Sequence, residues 1–156
     1  MPKLKVSRDT PLQEVTLRRY EKPYELEKRE LVRKLCLSSG LLQPGDSRDI
    51  VVDVLYVLLN AKKTGRGLSS DDIREAVIMM RNDYKLSLTG IASSNIRRQI
   101  KRLRDVFLVE KVRNSYRITE FEKVSTIFDE KIRQYLLQSV LDRVQDYYQK
   151  IDEEFS

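Results

Sequence analysis

The stretch "SNIRRQIKRLRDVFLVEKVRNSYRIT", Ser94 to Thr119, decides how the rest of the chain is read. Positions along a helix advance by about 100° per residue. On that wheel Ile96, Ile100, Leu103 and Phe107 share one narrow side. Arg97, Arg98, Lys101, Arg102 and Arg104 take the other half, with Ser94 among them and Asn95 at the rim. A merely solvated face mixes signs, because opposite charges four residues apart support a helix. Here like charges repel one another, and the first acidic residue is Asp105. The helix is expected to start at a cap on Ser93 or Ser94 and to reach about Phe107. Beyond it, "FLVEKV" and "YRITE" are rich in β-formers and flank "RNS", the pattern of a hairpin with a three-residue loop.

Charge along the chain isolates this block. Residues 91–120 carry eight Lys or Arg against three Asp or Glu, whereas residues 121–156 carry five against eight. A basic excess held in one thirty-residue window is the electrostatic footprint of a polyanion-binding surface.

Upstream, "DSRDIVVDVLYVLLNAKKTG" predicts a helix from Asp46, with Asp46 and Asp49 at capping-box spacing and an apolar face of Ile50, Val54, Leu55 and Leu58. Lys62 and Lys63 suit the negative end of its dipole. "LSSDDIREAVIMMRNDY" predicts a second helix, capped by Ser69 and Asp72, with Leu68 and Ile73 as a hydrophobic staple. A polar connection, "KLSLTGIAS", leads into the cationic helix. Nearer the start, "YELEKRELVRKLCLSSG" predicts a helix after Pro23 that stops at Gly40. The expected organisation is a basic arm over 1–22, an N-terminal helix and turn over 23–45, a domain over 46–120 that carries the cationic helix and the hairpin, and a C-terminal helix over 121–156. The chain is read as mainly α with one small β-hairpin.

Several chemistries are excluded by composition. The chain has no histidine and a single cysteine, Cys36, so histidine-based zinc sites, catalytic triads and internal disulfides are ruled out. Cys36 reads as a small core residue. Neither a G-x-x-x-x-G-K-[ST] loop nor a G-x-G-x-x-G turn occurs. The expectation is a protein that is not an enzyme and needs no cofactor or metal. No apolar run is long enough to cross a bilayer and no secretion signal is visible, so a cytoplasmic location without membrane association is expected.

Two capped helices, a connection, a cationic amphipathic helix and a hairpin follow one another in the order of a winged helix-turn-helix. The likeness covers roughly Asp46 to Thr119. It rests on "DIVVDVLYVLLNA", "SSDDIREAVIMM", "SSNIRRQIKRLRDVF" and "LVEKVRNSYRIT" taken in sequence. "IRRQIKRLRDVFLVEKVRNSYRIT" resembles the recognition-helix-to-wing passage of small archaeal and bacterial transcriptional regulators. "GIASSNIRRQIKRLRD" is also similar to the winged-helix activators of archaellum operons in euryarchaea. One departure is the long connection "RNDYKLSLTGIASS" between the second and third helices.

The resemblance implies that the cationic helix enters a major groove of double-stranded DNA and that the wing lies along the backbone or minor groove. Ser94, Asn95, Arg97 and Arg98 would then approach base edges. Lys101, Arg102 and Arg104 would hold phosphates, and Arg113, Asn114 and Arg117 would serve as wing contacts. Two other readings stand beside this one: an adaptor recruiting transcription or replication machinery, and an RNA-binding protein. The second is disfavoured because no aromatic interleaves the exposed basic residues.

The acidic C-terminal segment is expected to be helical in one piece or with a bend near Ile132. Leu137, Val140, Val144, Tyr147 and Ile151 form a short coiled-coil stripe, which points to a homodimer meeting two half-sites. The competing reading packs this helix back on its own domain.

Overall fold

The computed structural model describes residues 6–156. Lys3 and Lys5 of the basic arm lie outside the described residues. After a one-turn helix, α1 (Val6–Asp9), come α2 (Lys28–Ser38), α3 (Ile50–Lys63), α4 (Ser70–Asp83) and α5 (Ser93–Asp105). The strands β1 (Val109–Val112) and β2 (Ser115–Ile118) form an antiparallel hairpin. A continuous helical run then comprises α6 (Val124–Ile127), a π-helical stretch over Phe128–Leu137 and α7 (Gln138–Glu154). The chain is mainly helical, as its patterning predicts. No helix among the described residues is long and apolar enough to cross a membrane.

Helix α3 is the axis of the core. Ile50, Val51, Val52, Val54, Leu55, Val57 and Leu58 are all buried, and a helix apolar nearly all round must be covered on every side. Helices α2, α4 and α5 and strand β2 pack around it. Cys36 sits in this core as expected, and burial pushes its thiol up to about 12.

Asp53 interrupts that apolar run and is wholly buried. Its carboxylate is met by Arg29 of α2, with Nε 2.9 Å from Oδ1, and by Arg81 of α4, with NH1 2.5 Å from Oδ2. Asp49 completes the group, 3.1 Å from Arg29 and 3.0 Å from Arg81. This overturns the expected capping box at the start of α3. The helix begins at Ile50, and the Asp49 side chain makes no cap bond because both arginines occupy it. Asp46 instead folds onto Arg48, accepting from its backbone N–H at 2.9 Å. The capping box of α4 forms as predicted, between Ser69 and Asp72.

Helices α2 to α5 each end with paired 6→1 and 5→2 backbone bonds around a residue of positive φ. Gly40 and Gly65 fill that position for α2 and α3, and Lys85 and Phe107 fill it for α4 and α5. The last case shortens α5 relative to expectation. Phe107 adopts φ 66 and stacks edge-on to Tyr135 at 6.3 Å, rather than continuing the helix's apolar stripe. Gly40 has a second duty. A Cβ there would lie 2.7 Å from the carbonyl oxygen of Thr16, so the N-terminal segment crosses tightly over it. Arg18 fastens the same segment through hydrogen bonds to Leu37 O, Leu42 O and the Gln43 side chain. Residues 16–20 of the expected loose arm therefore lie against the body. Helix α2 starts later than expected, at Lys28, because the Glu27 side chain caps it by accepting from the backbone N–H groups of Arg29 and Glu30.

Breaking the buried group by removing one partner leaves a charge unpaired, at a typical cost of about 3–5 kcal/mol. Asp53→Asn should therefore lower the urea midpoint strongly, whereas replacing Arg29, Asp49, Asp53 and Arg81 together by apolar residues should recover much of the loss. A second expectation concerns pH. Burial pushes the Asp49 carboxyl up, but hydrogen bonds from Arg29 and Arg81 outweigh it and hold the group below its ordinary value. A depressed carboxylate stabilises above the unfolded pKa of about 3.9, and that contribution disappears as pH falls through the lowered folded value. In urea titrations the gap between wild type and Asp49→Asn should be constant at neutral pH and close progressively below about pH 4.

Candidate nucleic-acid interface

Helix α5 is placed by its buried face and by the connection that leads into it. Ile96, Ile100 and Leu103 are buried against the core, each worth about 1.5–3 kcal/mol of burial. The connection before it is tied down at three points: Arg81 Nε to Ser87 O at 2.6 Å, Arg74 Nε to Ile91 O at 2.7 Å, and Asn95 Nδ2 to Gly90 O at 2.7 Å. Neither serine caps the helix. Ala92 stands at the N-cap and Ser93 is the first helical residue.

The sorted faces expected from the wheel are present. Ser94, Arg97, Arg98, Lys101 and Arg104 are exposed, opposite the buried trio. Arg97 and Arg104 have no ion pair among the described residues. Lys101 pairs with Asp105 at 3.0 Å across one exposed turn, a contact that solvent and salt weaken readily. Arg98 donates to the Asn95 side chain at 3.3 Å.

Three of the expected contact residues are committed elsewhere. Asn95 gives its amide to Gly90 O and receives Gln99 at 3.0 Å, so its side chain braces the start of the helix. Arg102 turns away from the exposed stripe and is half-buried, donating to Gln99 Oε1 at 2.8 Å and Leu41 O at 2.5 Å. Arg117 binds Glu110 at 2.6 Å and lies 4.8 Å from the Phe121 ring centre. Burial pushes the Glu110 carboxyl up, but the Glu120 N–H and Arg117 more than compensate and hold it below the usual range.

The hairpin turns tighter than predicted. Val112 pairs with Ser115, which leaves Arg113 and Asn114 as a two-residue loop. Arg113 has φ 60, the sign that primed hairpin turns require. Both loop residues are exposed. Leu68, before α4, bridges to Tyr116 with backbone bonds of 3.0 and 2.7 Å, adding a third extended segment beside the hairpin.

One residue was missed by sequence reasoning. Lys111 on β1 is exposed and joins Lys101 and Arg104 around a shallow groove of about 430 Å³ between α5 and the hairpin. Asp105 and Glu110 also line it. The signal available was strand alternation, which sets Lys111 opposite in facing to Glu110. Comparison with known proteins returns no matching family model, no matching characterised protein and no matching solved structure.

Because Arg117 is already paired and stacked, Arg117→Gln should loosen the hairpin more than it removes exposed charge. Its expected signature is a lower melting temperature with the unfolding midpoint of the helical core little changed by added salt.

Proposed function

We propose that the chain is a winged helix-turn-helix protein that binds double-stranded DNA as a transcriptional regulator, with α5 in the major groove and the hairpin as the wing. The observation that carries this reading is the one-signed exposed stripe of Arg97, Arg98, Lys101 and Arg104 on a helix whose opposite face is buried. A rigid base supports it, since positioned cations lose less entropy on binding than mobile ones. The segment at Leu68, pairing with Tyr116, supports the wing reading because it gives the hairpin a third strand-like neighbour fixed to α4. Within this reading Arg97 and Arg98 approach base edges, Lys101 and Arg104 hold phosphates, and Arg113, Asn114 and Lys111 meet the backbone beside the groove. Asn95 and Arg102 act as positioning residues. The archaellum-operon likeness would make the target a motility operon and the protein an activator.

A two-fold dimer belongs to the same proposal. Helix α7 has no buried residue and leaves the body after a single hydrogen bond from Ser139 Oγ to Gln13. Its exposed apolar residues are Leu141, Val144, Tyr147, Tyr148, Ile151 and Phe155. With half-buried Leu137 and Val140 they make a face wider than the expected stripe. Leu137, Leu141, Val144, Tyr148, Ile151 and Phe155 alternate spacings of four and three throughout, the better coiled-coil seam. An exposed patch of this extent is rare on a monomer. Its acidic flanks keep it off DNA.

Fluorescence anisotropy of a labelled random duplex across a salt series tests the binding. Affinity should fall steeply with salt, and Lys101→Ala/Arg104→Ala should lower the affinity and make the log–log salt slope shallower by about two units. Absence of binding at low salt sinks the proposal and sends the search to acidic protein partners. Leu141→Glu/Tyr148→Glu should convert a dimer to a folded monomer in light scattering, and a monomeric wild type would refute the dimer.

A further inference from the structure

A second concavity, larger than the one beside the hairpin, lies away from the cationic stripe. It is a groove of about 880 Å³ bounded by the N-terminal segment at residues 14–18, the end of α2, the end of α5 and the helical run from Val124 to Leu136. Its volume is in the range of small-molecule sites. Leu17, Leu35, Val106, Phe128, Ile132 and Leu136 are among its mostly apolar walls. Ile132 is buried, but the other five are only partly covered, so this surface is an incompletely filled extension of the core. The π-helical stretch forms one wall. Phe128, Ile132 and Leu136, spaced four apart along it, all face the groove. Such segments recur at functional sites.

Two guanidiniums sit in the opposite wall. Arg18 NH1 lies 3.1 Å from Leu42 O, and Arg102 NH2 lies 2.5 Å from Leu41 O, so they rest on consecutive carbonyls. Carbonyls orient them but bring no net charge. Neither arginine forms a salt bridge with a carboxylate among the described residues, although the Asp46 carboxyl, held below its ordinary value chiefly by hydrogen bonds from Arg48, also has Arg102 near enough to help. The other charged side chains of the lining are Glu14, Asp105, Asp129 and Arg133. Asp105 is taken by Lys101, and Asp129 by Arg133 at 3.2 Å. Glu14 is exposed at the mouth.

We propose that this groove is a binding site for an amphipathic organic acid, its apolar body against the π-helical wall and its carboxylate at Arg18 and Arg102. Guanidinium groups suit a planar carboxylate because they offer paired donors in one plane. An apolar body alone would fill the groove, but the Arg18 charge, whose bonds go to two carbonyls and the neutral Gln43 side chain, selects an acid over a neutral molecule. Arg102, Val106 and Leu108 continue from α5, so occupancy bears on the helix that carries the cationic stripe. That consequence rests on the DNA-binding reading; the site itself does not.

The test uses the full chain without DNA. Fluorescence of 1-anilinonaphthalene-8-sulfonate reports the groove, and decanoate and decanol compete for it. Decanoate should displace the dye with one site per chain and bind about tenfold tighter than decanol, the scale of one charge-assisted hydrogen bond. Arg18→Gln should remove that preference, and Arg18→Lys should restore part of it. Leu17→Trp, which fills the groove from a partly exposed position, should abolish binding of both competitors while circular dichroism stays unchanged. Failure of decanoate to displace the dye at millimolar concentration overturns the site, as does equal affinity for acid and alcohol. Loss of dye binding as the protein concentration rises would show that a second copy covers the groove, which also overturns it.

Discussion

A carboxylate with no access to water, Asp53, sits in the middle of the most apolar helix of the protein. An isolated charge there would be prohibitive, so folding requires Arg29 and Arg81 to arrive together. One comes from α2 and the other from α4, and both also hold Asp49. Apolar packing against α3 would tolerate sliding of either helix by a fraction of a turn. Hydrogen bonds at 2.5 to 3.1 Å do not. The group contributes little net energy by the usual account of buried ion pairs, and its contribution here is to fix one arrangement of three helices.

The same arginine carries that arrangement outward. Arg81 also holds Ser87 O, and with Arg74 on Ile91 O and Asn95 on Gly90 O it shapes the connection that launches α5. From α5 the order passes through Leu108 and Val109 into the hairpin, and through Phe107 to Tyr135 on the helical run. The exposed cations therefore stand on a base whose geometry is set by buried charges some distance away. Their mutual repulsion is tolerated because the opposite face is anchored by Ile96, Ile100 and Leu103.

Period and capping made much of this legible in the sequence. The two faces of α5, the Ser69–Asp72 box and the hairpin between Val109 and Ile118 follow from local patterns, and local patterns were present. Three features were not readable in that way. Asp49 looks like a capping residue by spacing, but long-range partners claimed it. The end of α5 has no glycine, because Phe107 takes the left-handed position and gains a ring contact. Asn95 and Arg102 look like contact residues on a wheel, yet each is drawn to a backbone carbonyl, Arg102 by one sixty-one positions away in sequence. The one available clue to the buried group was Asp53 itself, a charge inside "IVVDVLYVLL" that apolar periodicity passes over.

The most direct measurement is a backbone NMR titration of the full chain with a short DNA duplex. The expected result is perturbation of the amides of Ser94, Arg97, Arg98, Lys101 and Arg104 and of the loop Arg113–Asn114, with α7 silent. Perturbation centred on α7 or on the N-terminal segment, with α5 unmoved, would contradict the assignment of the cationic stripe as the DNA-facing surface.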